Sequence, residues 1–331
     1  MTHPEASCCV TVRACAATRN SQSELKRVAI VPAAPIFAFD VSLPGPIDVA
    51  ASLELFRRNG DDLLDRWDGV NLVRTLRVGE RVVAYAAAAT GSITEPALRV
   101  TVADSADKVS VEDAIRSTLV LPTTDFARLC QADPVIAQLD QSHVGLRPVR
   151  QFDLFAALLR CVSAQQVNLR WAATTRRRLA EAFGERHIVG EHVVFSLCPT
   201  RLAVASVAEI RALQFTTRKS EYIVGIAAAV ASGRLRLEEL TQLPDDEVIA
   251  RLTVERGIGL WTAEWILART LCRPRVVAGD LGVRKAVGRA YLGAALPSEA
   301  EVRLATAHWG ESALIAQSLL LQSLSAGGSA T

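Results

Sequence analysis

The stretch Leu252-Thr253-Val254-Glu255-Arg256-Gly257-Ile258-Gly259-Leu260-Trp261-Thr262-Ala263 admits few backbone paths. Two glycines one residue apart permit a tight turn with φ > 0 and close approach of another molecule's backbone. Leu260 to Cys272 contains no Gly or Pro and is rich in Leu, Ala, Glu, Trp and Arg, which predicts a helix. The residues before Gly257 read as the end of another helix. A helix that starts at a glycine turn presents unpaired N–H groups and the positive end of its dipole, a seat for one phosphate. Shortly beyond it, Gly279-Asp280-Leu281-Gly282-Val283-Arg284-Lys285 puts a carboxylate at the start of a further helix. Asp280 is therefore the first candidate for chemistry.

The rest of the chain supplies the setting. Phe37 to Leu43 alternates in strand fashion and stops at Pro44-Gly45-Pro46, and Ile47 to Arg58 has helical spacing. Three strand-like runs follow, Gly69 to Arg77, Arg81 to Ala89 and Ala97 to Val102, separated by glycine turns. Strand, helix and a three-stranded meander predict a small antiparallel α+β domain over residues 31–108. From Val109 the pattern turns helical and is expected to stay so, giving an all-α region over 109–325. Its helices are expected at Val111 to Leu119, Asp125 to Leu139, Phe152 to Gln165, Asn168 to Phe183, Thr217 to Ser232, Glu299 to His308 and Ala313 to Leu324. Residues 1–30 lack any period and read as a disordered tail, and 326–331 as a flexible end.

Charge and cysteine usage narrow the class. The whole chain has a net charge of +2. Residues 151–331 nevertheless hold 21 Lys/Arg against 17 Asp/Glu, so this part is the better candidate for meeting a polyanion. Only four residues are lysines: Lys26, Lys108, Lys219 and Lys285. The seven cysteines form no CxxC pair and no iron–sulfur spacing, which suits ordinary thiols in a reducing compartment. No apolar run reaches the roughly 20 residues needed to cross a bilayer, and the first 27 residues lack a signal-peptide core. A cytoplasmic protein is expected.

Four features converge: Gly257-Ile258-Gly259 opening a helix, Trp261 two residues later, Asp280 capping another helix, and Ala164-Gln165-Gln166-Val167 ending an earlier one. Together they resemble the helix-hairpin-helix (HhH-GPD) DNA glycosylases, and most of all the 3-methyladenine DNA glycosylase II (AlkA-type) branch, over roughly residues 35–325. The resemblance implies a mainly α fold preceded by a small antiparallel-sheet (TBP-like) domain, with two helical subdomains flanking a cleft. It implies a monofunctional glycosylase that extrudes alkylated purines of the 3-methyladenine and 7-methylguanine type from duplex DNA and hydrolyses their N-glycosidic bond. Asp280 would be catalytic, and Trp261 and Trp265 would wall the base pocket. Gln166, with Gln165 beside it, would fill the vacated stack. Gly257, Gly259, Arg256, Arg284 and Lys285 would hold DNA phosphates. The carbonyls of Thr253, Glu255 and Gly257 would hold a structural Na+ or K+; no other cofactor and no iron–sulfur cluster is expected.

Elementary chemistry agrees with these roles. Hydrolysis of an N-glycosidic bond develops positive charge on the sugar, which a nearby carboxylate stabilises while it orients or deprotonates the attacking water. An aromatic face attracts a cationic alkylated purine by roughly 0.5–2 kcal/mol. Bifunctional members of the superfamily carry a Schiff-base lysine where this chain has Trp261, so the nucleophile is expected to be water. The chain departs from the family pattern at His308-Trp309-Gly310-Glu311-Ser312-Ala313, which puts its substrate range in question. Two other readings stand beside the leading one: a related glycosylase for oxidised or deaminated bases, and a non-catalytic helix-hairpin-helix DNA-binding protein. The enzyme is expected to act as a monomer, in the cytoplasm, on the nucleoid if the source is bacterial.

Overall fold

The computed structural model describes residues 36–327, with side chains through residue 324. The tail expected over 1–30 and residues 328–331 lie outside them. The first strand, β1 (Phe37–Ser42), is followed by α1 (Val49–Leu53) and α2 (Leu55–Arg58), so the helix expected from Ile47 is two short pieces. Then come β2 (Arg66–Trp67), β3 (Asn71–Val78), β4 (Arg81–Ala89) and β5 (Ala97–Val102). These five strands form one antiparallel sheet in the order β1-β5-β4-β3-β2. One face presents Val41, Leu72, Tyr85, Val100 and Val102 to α1, α2 and α3 (Lys108–Arg116).

Helices α4 (Thr124–Ala132) and α5 (Pro134–Ser142) replace the single helix expected over Asp125 to Leu139. Pro134 has no N–H to continue the first helix, and the Asp133 carboxylate caps the second by accepting from Val135 and Ile136 N–H at 2.9 and 3.1 Å. After α6 (Leu154–Ala164) and α7 (Leu169–Phe183), the expected unbroken helical region is wrong. Gly184 ends α7, and β6 (Gly184–Val189) and β7 (His192–Leu197) form an antiparallel hairpin. Val189 and Val194 of the hairpin pack on Val73 and Ala86, on the sheet face opposite the helices. This explains why β4 is apolar on both of its faces.

The remaining elements are α8 (Pro199–Ala203), α9 (Val207–Ala212), α10 (Thr217–Ala231), α11 (Leu237–Gln242), α12 (Asp245–Thr253), α13 (Leu260–Arg269), α14 (Leu281–Val287), α15 (Glu299–Thr306) and α16 (Ala313–Gly327). The largest core gathers α6 to α13 around Leu158, Ile226 and Ile266. Another is built from α4 and α5 together with α14 to α16. The fold is mainly α with a small antiparallel sheet on its N-terminal side. Among the described residues no helix is long and apolar enough to cross a membrane.

A buried ionic network joins the sheet region to α6 and α7. Asp62 accepts from Arg176 Nε at 2.8 Å and from Arg160 at 3.1 Å, and Asp65 accepts from Arg160 at 3.0 Å and from Arg74 at 2.5 Å. Arg176 also donates to Ser163 Oγ at 2.9 Å. The network has no local signature, because Asp61-Asp62-Leu63-Leu64-Asp65 and Arg176-Arg177-Arg178 each look like solvated charge.

Candidate active site around Asp280

Asp280 caps α14. Its Oδ1 accepts Val283 N–H at 3.0 Å, and its Oδ2 accepts the indole N–H of Trp261 at 3.2 Å. Both carboxylate oxygens are thereby aimed, one by the helix it starts and the other by the helix after the glycine turn. Gly282 leaves room for this: a Cβ there would sit 3.0 Å from Asp280 Oδ1. The preceding segment is pinned by Val277 N–H donating to the buried Gln317 Oε1 at 2.8 Å. Trp261 packs with Val120, Ala268, Cys272, Val277 and Leu314, an apolar wall beside the carboxylate. Cys161 lies within electrostatic reach of Asp280; burial pushes its thiol far above the usual range, so it is an inert packing residue.

The two glycines of the hairpin have different jobs. Gly257 has φ +92°, and a Cβ on it would lie 2.3 Å from Tyr222 Cγ, so the turn closes against α10 only with glycine. Ile258 between them is 4% exposed and plugs the turn into the largest core. Gly259, the residue before α13, is extended, and a Cβ on it would meet nothing within 4 Å. It is open space in front of a helix whose first turn has no side-chain cap. Gly257→Ala is expected to lower stability by roughly 2–4 kcal/mol, from positive φ plus overpacking. Gly259→Ala should stay within about 0.5 kcal/mol. Thermal unfolding of the two variants side by side checks the contrast, and equal losses would refute it.

Gln165 does not point where a wedge would. Its Nε2 donates to the Gly257 carbonyl at 2.8 Å, which ties the end of α6 to the hairpin. Gln166 is exposed and held at φ +56°, an uncommon conformation for a residue with a side chain. Its stem is clamped: Ser163 offers its Oγ to Arg176 and its carbonyl to Lys219 Nζ at 2.9 Å. These clamps escaped sequence reading because they join residues 13 and 56 positions apart. Lys219 is thus engaged at the end of α6, where burial lowers its pKa, and Lys285 is exposed on α14.

The other expected site residues scatter more widely. Trp265 packs, partly buried, against the largest core. Arg256 is exposed, 3.7 Å from Glu221, and Arg284 donates through Nε to the Pro297 carbonyl at 2.7 Å. Trp309 is 2% exposed and belongs to the core of α14 to α16, beside Tyr291 and His308, which both bond Asp133. The segment that departs from the family pattern therefore contributes packing. Of the carbonyls expected to hold a monovalent cation, Glu255 O accepts Ile258 N–H at 3.1 Å and Gly257 O accepts Gln165. Each carbonyl oxygen keeps a second lone pair, so the set fits a loosely held ion. A separate cleft of about 870 Å³ opens at the N-terminal end of α6, between Arg77, Asp153 and Cys198, and contains neither Asp280 nor Trp261.

Residues 159–311 match the family described as HhH-GPD superfamily base excision DNA repair protein. Over that stretch the chain is similar to the HhH-GPD superfamily. That HhH-GPD region runs from α6 to the segment ahead of α16 and includes Asp280, Trp261 and both hairpin glycines. A DNA-3-methyladenine glycosylase of Bacillus subtilis (strain 168) is 35% identical over 152 residues, 46% of this chain and 50% of the relative. The chain spans about half the length of the curated relatives it matches. Among solved structures, a 3-methyladenine DNA glycosylase from Archaeoglobus fulgidus has a TM-score of 0.76 at 23% identity, covering 86% of this chain and 98% of that one. An 8-oxoguanine glycosylase/lyase from Clostridium acetobutylicum, in complex with double-stranded DNA, has a TM-score of 0.67 at 16% identity, over 83% and 92% of the two chains. At these identities the structures speak for the fold, including the sheet that precedes the HhH-GPD region.

Proposed function

We propose that this protein is a monofunctional DNA N-glycosylase that extrudes alkylated purines from duplex DNA and hydrolyses the bond to the sugar, leaving an abasic site. The observation that carries the reading is the Asp280 carboxylate, held at once by Val283 N–H and Trp261 Nε1–H next to an apolar wall. In that setting it meets the positive charge of the departing sugar and holds the attacking water. The uncapped first turn of α13, opened by Gly259, takes one phosphate, and Arg256, Arg284 and Lys285 add charge along the backbone. Gln166 enters the vacated stack from its clamped stem, with Gln165 fixing that stem to the hairpin. Extrusion costs a few kcal/mol, which these contacts offset. Trp261 and Trp265 belong to the wall and support of the base site.

A Na+ or K+ on the carbonyls of Thr253, Glu255 and Gly257 would stiffen the turn. The proposed unit is a monomer of an α+β region (31–108) and a helical region (109–325), acting in the cytoplasm, on the nucleoid if the source is bacterial.

The test is incubation of the protein with duplexes carrying single alkylated, oxidised or deaminated bases, followed by detection of abasic sites. Release confined to alkylated purines, with no borohydride-trapped protein–DNA adduct, is expected. A trapped adduct would overturn the hydrolytic reading, and DNA binding without any abasic site would leave a non-catalytic binder.

A further inference from the structure

Glu264 sits on α13, 0% exposed, and the reaction as proposed gives it no work. Only one of its oxygens is engaged. Oε1 accepts from Arg303 Nη1 at 2.7 Å and from Arg275 Nη2 and Nε at 3.2 and 3.3 Å, while the buried Oε2 has no partner among the described residues. An apolar side chain of similar volume would serve the core at least as well as such a carboxylate, so packing alone does not account for it. Its position does. Glu264 lies one turn beyond Trp261 on α13, and Arg275 begins the irregular segment 275–280 that ends at Asp280. Backbone bonds inside that segment are local, Ala278 N–H to the Val276 carbonyl and Asp280 N–H to the Val277 carbonyl, both at 3.0 Å. It is tied to other elements by Gln317 at Val277 and by Glu264 at Arg275. Arg275 also has a rival partner: Asp245 of α12 lies 4.0 Å from its Nη1 and already pairs with Arg273 at 2.7 Å.

We infer that Glu264 is a positioning residue: through Arg275 it holds the segment 275–280 against α13, and so keeps Asp280 Oδ2 within reach of the Trp261 indole N–H. Its effect on rate rests on the glycosylase reading; its effect on that hydrogen bond does not. The bond measures 3.2 Å, at the long end of the N–H···O range, so a small displacement of either side breaks it. One side of the bond is carried by α13 and the other by the segment, and Glu264 grips both. Without its charge, Arg275 is left to Asp245, which draws the start of the segment toward α12. Arg303 reaches Glu264 from α15 and neutralises it without touching the segment.

The experiment compares Arg275→Met with Arg303→Met in the full chain. Each removes one guanidinium from Glu264 and leaves the carboxylate the other, so a purely structural role predicts like effects. Single-turnover release of 7-methylguanine from duplex DNA should slow about fivefold to tenfold in Arg275→Met and stay within about twofold in Arg303→Met. Binding to a duplex with an uncleavable abasic analogue should change by less than about twofold in both. Glu264→Gln should match Arg275→Met in rate, and the arginine variants keep the question decidable if it fails to fold. Because the effect passes through the Trp261 bond, adding Arg275→Met to Trp261→Phe should slow release by no more than about twofold further. Equal rates in the two arginine variants, or losses that multiply in the double variant, would overturn the inference. The hydrogen bond is read without activity from the Trp261 indole N–H resonance, assigned by its loss in Trp261→Phe. That resonance should move in Arg275→Met and hold in Arg303→Met, and an unmoved resonance in Arg275→Met would also overturn it. If the unaltered chain released no base, the glycosylase reading would fall, and the resonance alone would decide the role of Glu264.

Discussion

Asp280→Asn is expected to reduce base excision by about two to four orders of magnitude while the protein remains folded. Asparagine is as good a helix cap as aspartate, so Val283 N–H keeps an acceptor. The amide has one acceptor and one donor end, however, and Asp280 uses both oxygens as acceptors. One bond, to Val283 or to the Trp261 indole, must therefore be given up, at about 0.5–1.5 kcal/mol. A small drop in melting temperature should accompany the large drop in rate. Trp261→Phe separates the two effects. It keeps an aromatic face and removes the N–H, leaving the charge in place but unaimed, and should lose no more than about tenfold. Single-turnover excision and thermal unfolding of both variants supply the readout. Activity retained in Asp280→Asn would end the case for this residue.

The second large effect concerns stability. Burial opposes the charge on Asp62, but Arg160 and Arg176 outweigh it and hold the carboxyl at about 2. The folded-state value lies below the unfolded one, so this contribution is complete above pH 4 and disappears as pH falls from about 4 to about 2. It is of the order of 2–3 kcal/mol. Asp62→Ala removes the carboxylate, leaves the buried Arg176 without a charged partner and leaves Arg160 with Asp65 alone, which should cost about 3–5 kcal/mol at neutral pH. Denaturant titrations at a series of pH values provide the check. The gap between the unaltered chain and Asp62→Ala should narrow on acidification below pH 4; a gap that stayed constant would disprove the assignment. Because Arg176 also holds Ser163, the variant should loosen the end of α6 and slow excision as well.

What could be read from sequence was what depends on near neighbours. The turn at Gly257, the helix from Leu260 and the cap at Asp280 each follow from a few adjacent residues, and the structure reproduces them. The meander was legible because its strands alternate over six to nine residues. The β6–β7 hairpin was missed because its strands carry exposed Ile188 and half-buried His187 beside the inward valines, which blurs the alternation. The break between α4 and α5 was legible in Asp133-Pro134 and was overlooked. Other features have no local signature. Arg160 meeting Asp62 and Gln165 meeting the Gly257 carbonyl depend on how distant segments come together. Gly257 and Gly259 looked equivalent in sequence because only the position of Tyr222 tells them apart.

The core beneath Asp280 is discontinuous in the chain. Phe126, Leu129 and Ile136 are made early, and their partners Val283, Val302, Trp309 and Leu319 come more than 140 residues later. During synthesis the sheet and the core of α6 to α13 can close in order as the chain emerges, while α4 and α5 wait with an apolar face uncovered. The carboxylate therefore gains its support last, only after α14 to α16 have been made.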